Sequence, residues 1–281
     1  MKFKVFTELL YNLYSPTTFI FNIQPLKSLN QKINFESLEI SNGLIFNKFS
    51  LKNNSSRFIK VKSEDQSFFS VIYTAEVEVN FKLIPKKKLI NSISLYDLNP
   101  EILPFLAPSR HCPSDQLMKI ASKLFDHYKT DLDKVQAIND WIFNNVDYVI
   151  GSSNASTSAY DTLNQREGVC KDFAHLGIAL CRALKIPARY FTGFGYNIYP
   201  ADFHACFEAY ISGEWIFFDP TNLVPINGLV KISHSKDASE SAVASFFGNT
   251  YCTYLNVKCE TTETNFIPIY YSSDSDELIS Y

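Results

Sequence analysis

The chain is poor in glycine, with 9 residues in 281, and it has no long apolar run. Few glycines beside 16 tyrosines and 24 phenylalanines suit packed strands and argue against disorder. No stretch approaches the ~20 apolar residues of a membrane-spanning helix. Near the start, Glu8 and Asn12 interrupt the apolar residues after Lys2 and Lys4, and no small-residue cleavage site follows. That stretch does not read as an export signal. An excess of one charge is also missing. The 26 basic and 29 acidic side chains leave a net charge of −3, so no basic field points to nucleic acid. Cysteine is present but unpatterned: Cys112, Cys170, Cys181, Cys206, Cys252 and Cys259 include no C-x-x-C pair and are sparse for a disulfide scaffold. Reduced thiols in a cytoplasmic protein are the expectation, and the same spacing disfavours zinc.

What is present divides the chain in two. At 281 residues it is long for one core. Residues 1–100 are expected to form a β-rich domain. Thr74-Ala75-Glu76-Val77-Glu78-Val79-Asn80-Phe81 and Arg57-Phe58-Ile59-Lys60-Val61-Lys62 alternate with period two, and Asn42-Gly43 signals a hairpin. An antiparallel β-sandwich is the expected product of such strands. Pro85-Lys86-Lys87-Lys88 and the prolines at 100, 104, 108 and 113 mark a connector into a second domain, residues 101–281. There Ser114 is expected to cap a helix carrying Leu117, Ala121 and Phe125. Thr130 with Asp133 predicts a capping box for the next helix. A third helix is expected from about Cys170 to before Pro187, with strands over 188–194, 204–211 and 215–219. The pattern weakens after Thr221, one further strand is expected over 250–258, and the acidic C-terminus is expected to fray.

Chemistry concentrates at Glu167-Gly168-Val169-Cys170-Lys171-Asp172-Phe173. A thiol at a helix start meets partial positive charge and free N–H groups, which favour the reactive thiolate. Cys181 falls about three turns later on the packing face and reads as a small apolar residue. Ser212-Gly213 fits a two-residue hairpin turn. That register sets Cys206 opposite Asp219 and places His204 on the same face, one diagonal step away. The imidazole could then take the thiol proton while a carboxylate orients it. Spacing alone leaves alternatives open. A strand histidine is commonly a satisfied core residue, Asp-Pro is commonly a turn, and Glu208 is a rival partner for His204.

Several ordered motifs carry a family resemblance. They are Thr157-Ser158-Ala159; Gly168-Val169-Cys170-Lys171-Asp172-Phe173-Ala174-His175-Leu176; and Cys181 through Tyr190. They continue with Asp202-Phe203-His204-Ala205, Phe207-Glu208 and Asp219-Pro220-Thr221. Pro108 through Cys112 and Asp140-Trp141-Ile142 resemble the lead-in. Here the chain resembles the transglutaminase-like superfamily, in the bacterial two-domain branch described as candidate cysteine proteases.

The resemblance implies an α+β protein: a β-sandwich-like N-terminal domain, then a papain-like core whose nucleophile helix packs on an antiparallel sheet. It implies Cys170 as nucleophile, His204 as base and later acid, and Asp219 as orienting carboxylate, with no cofactor and no metal. Hydrolysis of peptide or isopeptide bonds in a protein or peptide substrate is the expected activity. Glutamine transamidation, peptide deglycosylation and a non-catalytic binding role are the alternatives. Two departures stand out. Cys206 replaces the tryptophan usual after His-Ala, and Ser153 to Ala159 holds no counterpart of the oxyanion tryptophan of animal transglutaminases. The Cys170 N–H is the first expected oxyanion donor. The second is sought among Thr157 to Tyr160 or at Tyr148.

Overall fold

The structure, a computed structural model, describes residues 1–41, 44–51 and 55–281. Seven strands come first: β1 (Lys2–Leu13), β2 (Thr18–Phe21), β3 (Gln31–Ile40), β4 (Phe46–Ser50), β5 (Arg57–Lys62), β6 (Phe68–Val79) and β7 (Lys82–Pro85). Next are α1 (Ser114–Phe125), α2 (Asp131–Asn145), β8 (Asp147–Tyr148), α3 (Ala159–Gln165), β9 (Glu167–Gly168) and α4 (Cys170–Ala183). The chain then runs through β10 (Ala188–Gly195), β11 (Phe203–Ile211), β12 (Glu214–Phe218), β13 (Leu229–Ser235) and α5 (Ala238–Ser241). It ends with β14 (Ala244–Phe247), β15 (Thr250–Thr261) and β16 (Glu277–Ser280). The protein is mixed α+β with mostly antiparallel sheets. No helix among the described residues is long and apolar enough to cross a membrane.

Two four-stranded antiparallel sheets, ordered β15-β1-β6-β3 and β14-β2-β5-β4, share one aromatic core. Alternation along β6 turns Phe69, Val71, Tyr73, Ala75, Val77 and Val79 inward. The rings of Tyr11 and Phe69 close on Phe19 at 5.0 and 4.6 Å. The Asn42-Gly43 turn lies outside the described residues. The strands flanking it join different sheets, β3 pairing with β6 and β4 with β5.

The third sheet, β12-β11-β10-β13, carries α4 on one face. Ala174, Gly177, Ile178 and Cys181 of α4 meet Ala205, Phe207 and Ala209 of β11. Gly177 is what permits this approach, because a Cβ there would sit 2.6 Å from the Phe207 ring. The capping box on α2 forms as expected, with Thr130 Oγ1 accepting from the Asp133 N–H at 3.0 Å. Ser114 departs from expectation. It is the first residue of α1, Pro113 occupies the cap position, and no side chain caps the end.

Two other expectations need correction. The segment after Thr221 contains β13, which pairs antiparallel with β10. Its residues are buried on both faces, so it shows no period-two alternation to read. The C-terminus does not fray. β16 pairs with β7 and buries Leu278 and Ile279 at 2% and 1% exposure. Two adjacent apolar residues, one on each face, anchor a strand whose acidic neighbours stay in water.

Candidate active site

Cys170 is the first residue of α4 and is half-buried. Its position follows from local chemistry. The Val169 N–H donates to Asp172 Oδ2 at 2.9 Å, and the Asp172 N–H returns to Val169 O at 2.8 Å. This closes the first turn around Asp172, a buried carboxylate that Lys171 Nζ meets at 3.2 Å. Gly168 must be glycine for the turn to close, since a Cβ would approach Asp172 Cβ to 2.7 Å. The Cys170 N–H has no intrahelical acceptor at this position. The thiol contacts the carbonyl oxygen of Phe203 at 4.0 Å, which places it one residue from His204 on β11.

His204 and Asp219 come together as the hairpin register requires. Ser212 and Gly213 both have positive φ (50° and 91°) and make the two-residue turn. The β11–β12 pairing runs from Ile211 opposite Glu214 to Phe207 opposite Phe218, and one step further sets Cys206 against Asp219. His204 Nε2 lies 2.8 Å from Asp219 Oδ2, with both side chains fully buried. The other carboxylate oxygen, Oδ1, accepts from the Thr221 N–H at 3.0 Å and from its hydroxyl at 2.7 Å. Thr221 is the positioning contact that spacing did not single out. Its signal in the sequence is an acidic side chain reaching the backbone two residues on.

The ring nitrogen left over, His204 Nδ1, is buried and has no hydrogen-bond partner among the described residues. Burial opposes protonation of this imidazole. The proximity of Cys206 and of Asp219, the hydrogen bond to Asp219 and the approach of Cys170 outweigh burial and hold its pKa well above the usual histidine value. Burial likewise pushes the Asp219 carboxyl up, but His204 and Thr221 prevail and keep it low. Glu208, the rival partner, turns elsewhere. It accepts from Arg189 Nε at 2.5 Å and from Lys231 Nζ at 2.8 Å.

Tyr148 reaches the site through a parallel pairing that no local pattern announces. It lies opposite Gly168, and the Val149 N–H donates to Gly168 O at 2.9 Å. Its ring lies 5.8 Å from that of Phe173. Burial, then the proximity of Cys170, pushes its hydroxyl up to about 12, so it remains a proton donor at neutral pH. The Cys170 backbone nearby offsets part of that rise.

Cys181 is fully buried in the α4 core, as its helix position implies. Cys206 is also fully buried, against Phe191 and Phe217, and burial pushes its thiol up to about 12. Donor atoms of His204, Cys206 and Asp219 lie within 4.8 Å of one another. Spacing along the chain gave no such set; pairing of β11 with β12 creates it.

Comparison with known proteins places the chain in a family. The family model of the transglutaminase-like superfamily matches residues 118–220, and that of the bacterial transglutaminase N-terminal domain matches residues 1–101. A protein of Cytophaga hutchinsonii, whose crystal structure is described as that of a candidate cysteine protease, is 49% identical. That match covers 100% of this chain and 97% of the other, with a TM-score of 0.97. An uncharacterized protein of Mycobacterium leprae is 27% identical over 203 residues, covering 69% of this chain and 71% of the relative. The chain belongs to the transglutaminase-like superfamily.

Proposed function

We propose that this protein is a cysteine-dependent acyl-transfer enzyme that hydrolyses peptide or isopeptide amide bonds, with Cys170, His204 and Asp219 as its triad. The observation that carries the reading is the division of His204. Nε2 is engaged by Asp219 at 2.8 Å, and Nδ1 is left without a partner on a ring that Cys170, a thiol at a helix N-terminus, approaches. Asp219 fixes the tautomer in which Nδ1 carries the lone pair. Nδ1 takes the Cys170 proton, and the helix terminus favours the thiolate that results.

The thiolate adds to the amide carbon, forming a C–S bond and moving the carbonyl electron pair onto oxygen. The Cys170 N–H and the Tyr148 hydroxyl donate to that oxyanion. When the C–N bond breaks, the Nδ1 proton goes to the departing amine and the acyl group stays on sulfur. Water, deprotonated by the same nitrogen, then adds to the thioester and releases the acid with the free thiol. Hydrolysis is preferred to transamidation because the sequence shows no second amine-donor site. The substrate is a protein or peptide, met where thiols stay reduced, as in the cytoplasm; all six cysteines are free.

Labelling with iodoacetamide across pH, with the modified cysteine mapped by mass, tests the nucleophile. Cys170 should react faster near pH 6 than an ordinary thiol does. Equal reactivity would remove the basis for an activated Cys170. A screen of peptides, isopeptides, amine-transfer pairs and glycopeptides, wild type against Cys170→Ala, then assigns the reaction. Turnover lost with Cys170→Ala on the first two classes supports hydrolysis. Turnover confined to amine-transfer pairs or glycopeptides replaces it with those reactions, and binding without turnover of any class leaves a non-catalytic module.

A further inference from the structure

Cys206 is the feature of this site that the triad does not use. It is fully buried, two residues from His204 on the same strand face and opposite Asp219 in the hairpin. Together the three residues offer one nitrogen, one sulfur and one oxygen donor within 4.8 Å of one another, on side chains exposed by 1%, 0% and 0%.

We propose that His204, Cys206 and Asp219 form an inhibitory binding site for a thiophilic divalent cation, with zinc as its best occupant. Imidazole, thiolate and carboxylate are zinc's ordinary ligands, held at about 2.0–2.3 Å, so tetrahedral donors stand ~3.3–3.8 Å apart. The widest of the three separations therefore needs to close by about 1 Å, while His204 Nε2 and Asp219 Oδ2, now 2.8 Å apart, need to open by ~0.5–1 Å. Charge favours the match. A dication with one thiolate, one carboxylate and a neutral imidazole is neutral, so burial leaves no uncompensated charge. Binding balances as follows. The Cys206 thiol releases its proton to solvent as the S–metal bond forms. Nε2 is the nitrogen that faces Asp219, so its proton leaves as the metal takes its place, to Nδ1 of a neutral imidazole or to solvent where Nδ1 already holds the Cys170 proton.

That loss is the inhibitory step. With Nε2 on the metal, the ring holds at most the one proton at Nδ1, so it can neither take the thiol proton nor be the imidazolium that pairs with the Cys170 thiolate. Inhibition then needs no bond between the metal and Cys170. This consequence rests on the triad reading above, whereas the site itself does not.

Cobalt(II) titration of the full chain separates the two. In Cys170→Ala, cobalt should produce a near-ultraviolet thiolate-to-cobalt absorption that saturates at one equivalent. The band should vanish in Cys170→Ala/Cys206→Val, with Cys206→Ala as a second variant should the valine disturb folding. No band in Cys170→Ala, or an unchanged band without Cys206, overturns the site. For inhibition, Cys206→Val should raise the zinc concentration that halves hydrolysis by more than about 100-fold, the upper end of what outer-shell changes alone produce. Equal zinc sensitivity in both proteins would mean that the metal acts elsewhere and sinks the inhibitory role. The cobalt measurement needs no turnover, so it decides the site even if hydrolysis is absent.

Discussion

His204 and Asp219 meet through one oxygen only, Nε2 to Oδ2 at 2.8 Å, while Thr221 takes both hydrogen bonds at Oδ1. Both oxygens of the carboxylate are thus engaged, one by the ring and one by Thr221. Asp219→Asn keeps the shape but offers an amide where an acceptor is needed. Turnover should fall about 100- to 10,000-fold, as when the orienting group of a triad is lost. Thr221→Val leaves Oδ2 in place and should cost roughly 10- to 100-fold, in the range of outer-shell contacts. Steady-state kinetics on the best peptide substrate distinguishes the two.

The pH profile follows from the raised imidazole. His204 keeps its proton above the usual histidine range, because neighbouring charge and hydrogen bonding outweigh burial. The imidazolium–thiolate pair should therefore persist past neutrality and dissolve as pH rises through the folded pKa of His204. The same raised pKa adds stability that is complete below about 6.5, the unfolded value, and is lost over that rise. Asp219→Asn removes a charge that raises the imidazole, so the alkaline limb of kcat/KM should move to lower pH. An unmoved limb would detach that titration from His204.

Tyr148→Phe removes the hydroxyl that the proposed mechanism assigns to the oxyanion and leaves the ring packing on Phe173. We expect kcat to fall about 100- to 1,000-fold with KM little changed. A change in KM alone would assign Tyr148 to substrate binding.

Gly177→Ala tests the seat of the nucleophile helix. The new methyl would stand 2.6 Å from Phe207 Cε1, inside a core whose members are buried. Overpacking should cost about 1–3 kcal/mol in urea unfolding and also slow turnover, because α4 carries Cys170 and β11 carries His204.

Behind the site, Glu208 joins Arg189 and Lys231 with no exposure of its own carboxylate. Although burial raises its pKa, Arg189 and Lys231 bring it down to about 2. Its stabilisation is present above the unfolded value near 4.5 and is lost as pH falls toward 2. Glu208→Gln strands two cations and should cost about 3–5 kcal/mol. Glu208→Leu/Lys231→Met should cost less than Glu208→Gln, since removing a buried pair is milder than breaking it. Denaturant titration of the three proteins gives the order.

Much of the candidate site was legible locally. Thr130 with Asp133 announces its capping box, Gly168-Val169-Cys170 its helix start, and Ser212-Gly213 the register that aligns Asp219 with His204. These signals act over a few residues, where hydrogen bonding and φ preferences decide the outcome. The buried strand Leu229–Ser235 was not legible, because burial on both faces erases alternation. Ser114 showed the limit of a cap signal when a proline occupies the preceding position.

Chain order by itself determined the α+β character, the thiol at a helix terminus and the hairpin carrying His204 and Asp219. Only the tertiary structure decided which groups complete them. It sends Glu208 to Lys231 rather than to His204, brings Tyr148 beside Cys170 through a parallel pairing, and returns β14 and β15 to the N-terminal sheets. Each of these joins residues across loops, sheets or both. Local propensity carries no record of such contacts, because their free energy comes from desolvation and packing shared by the whole core.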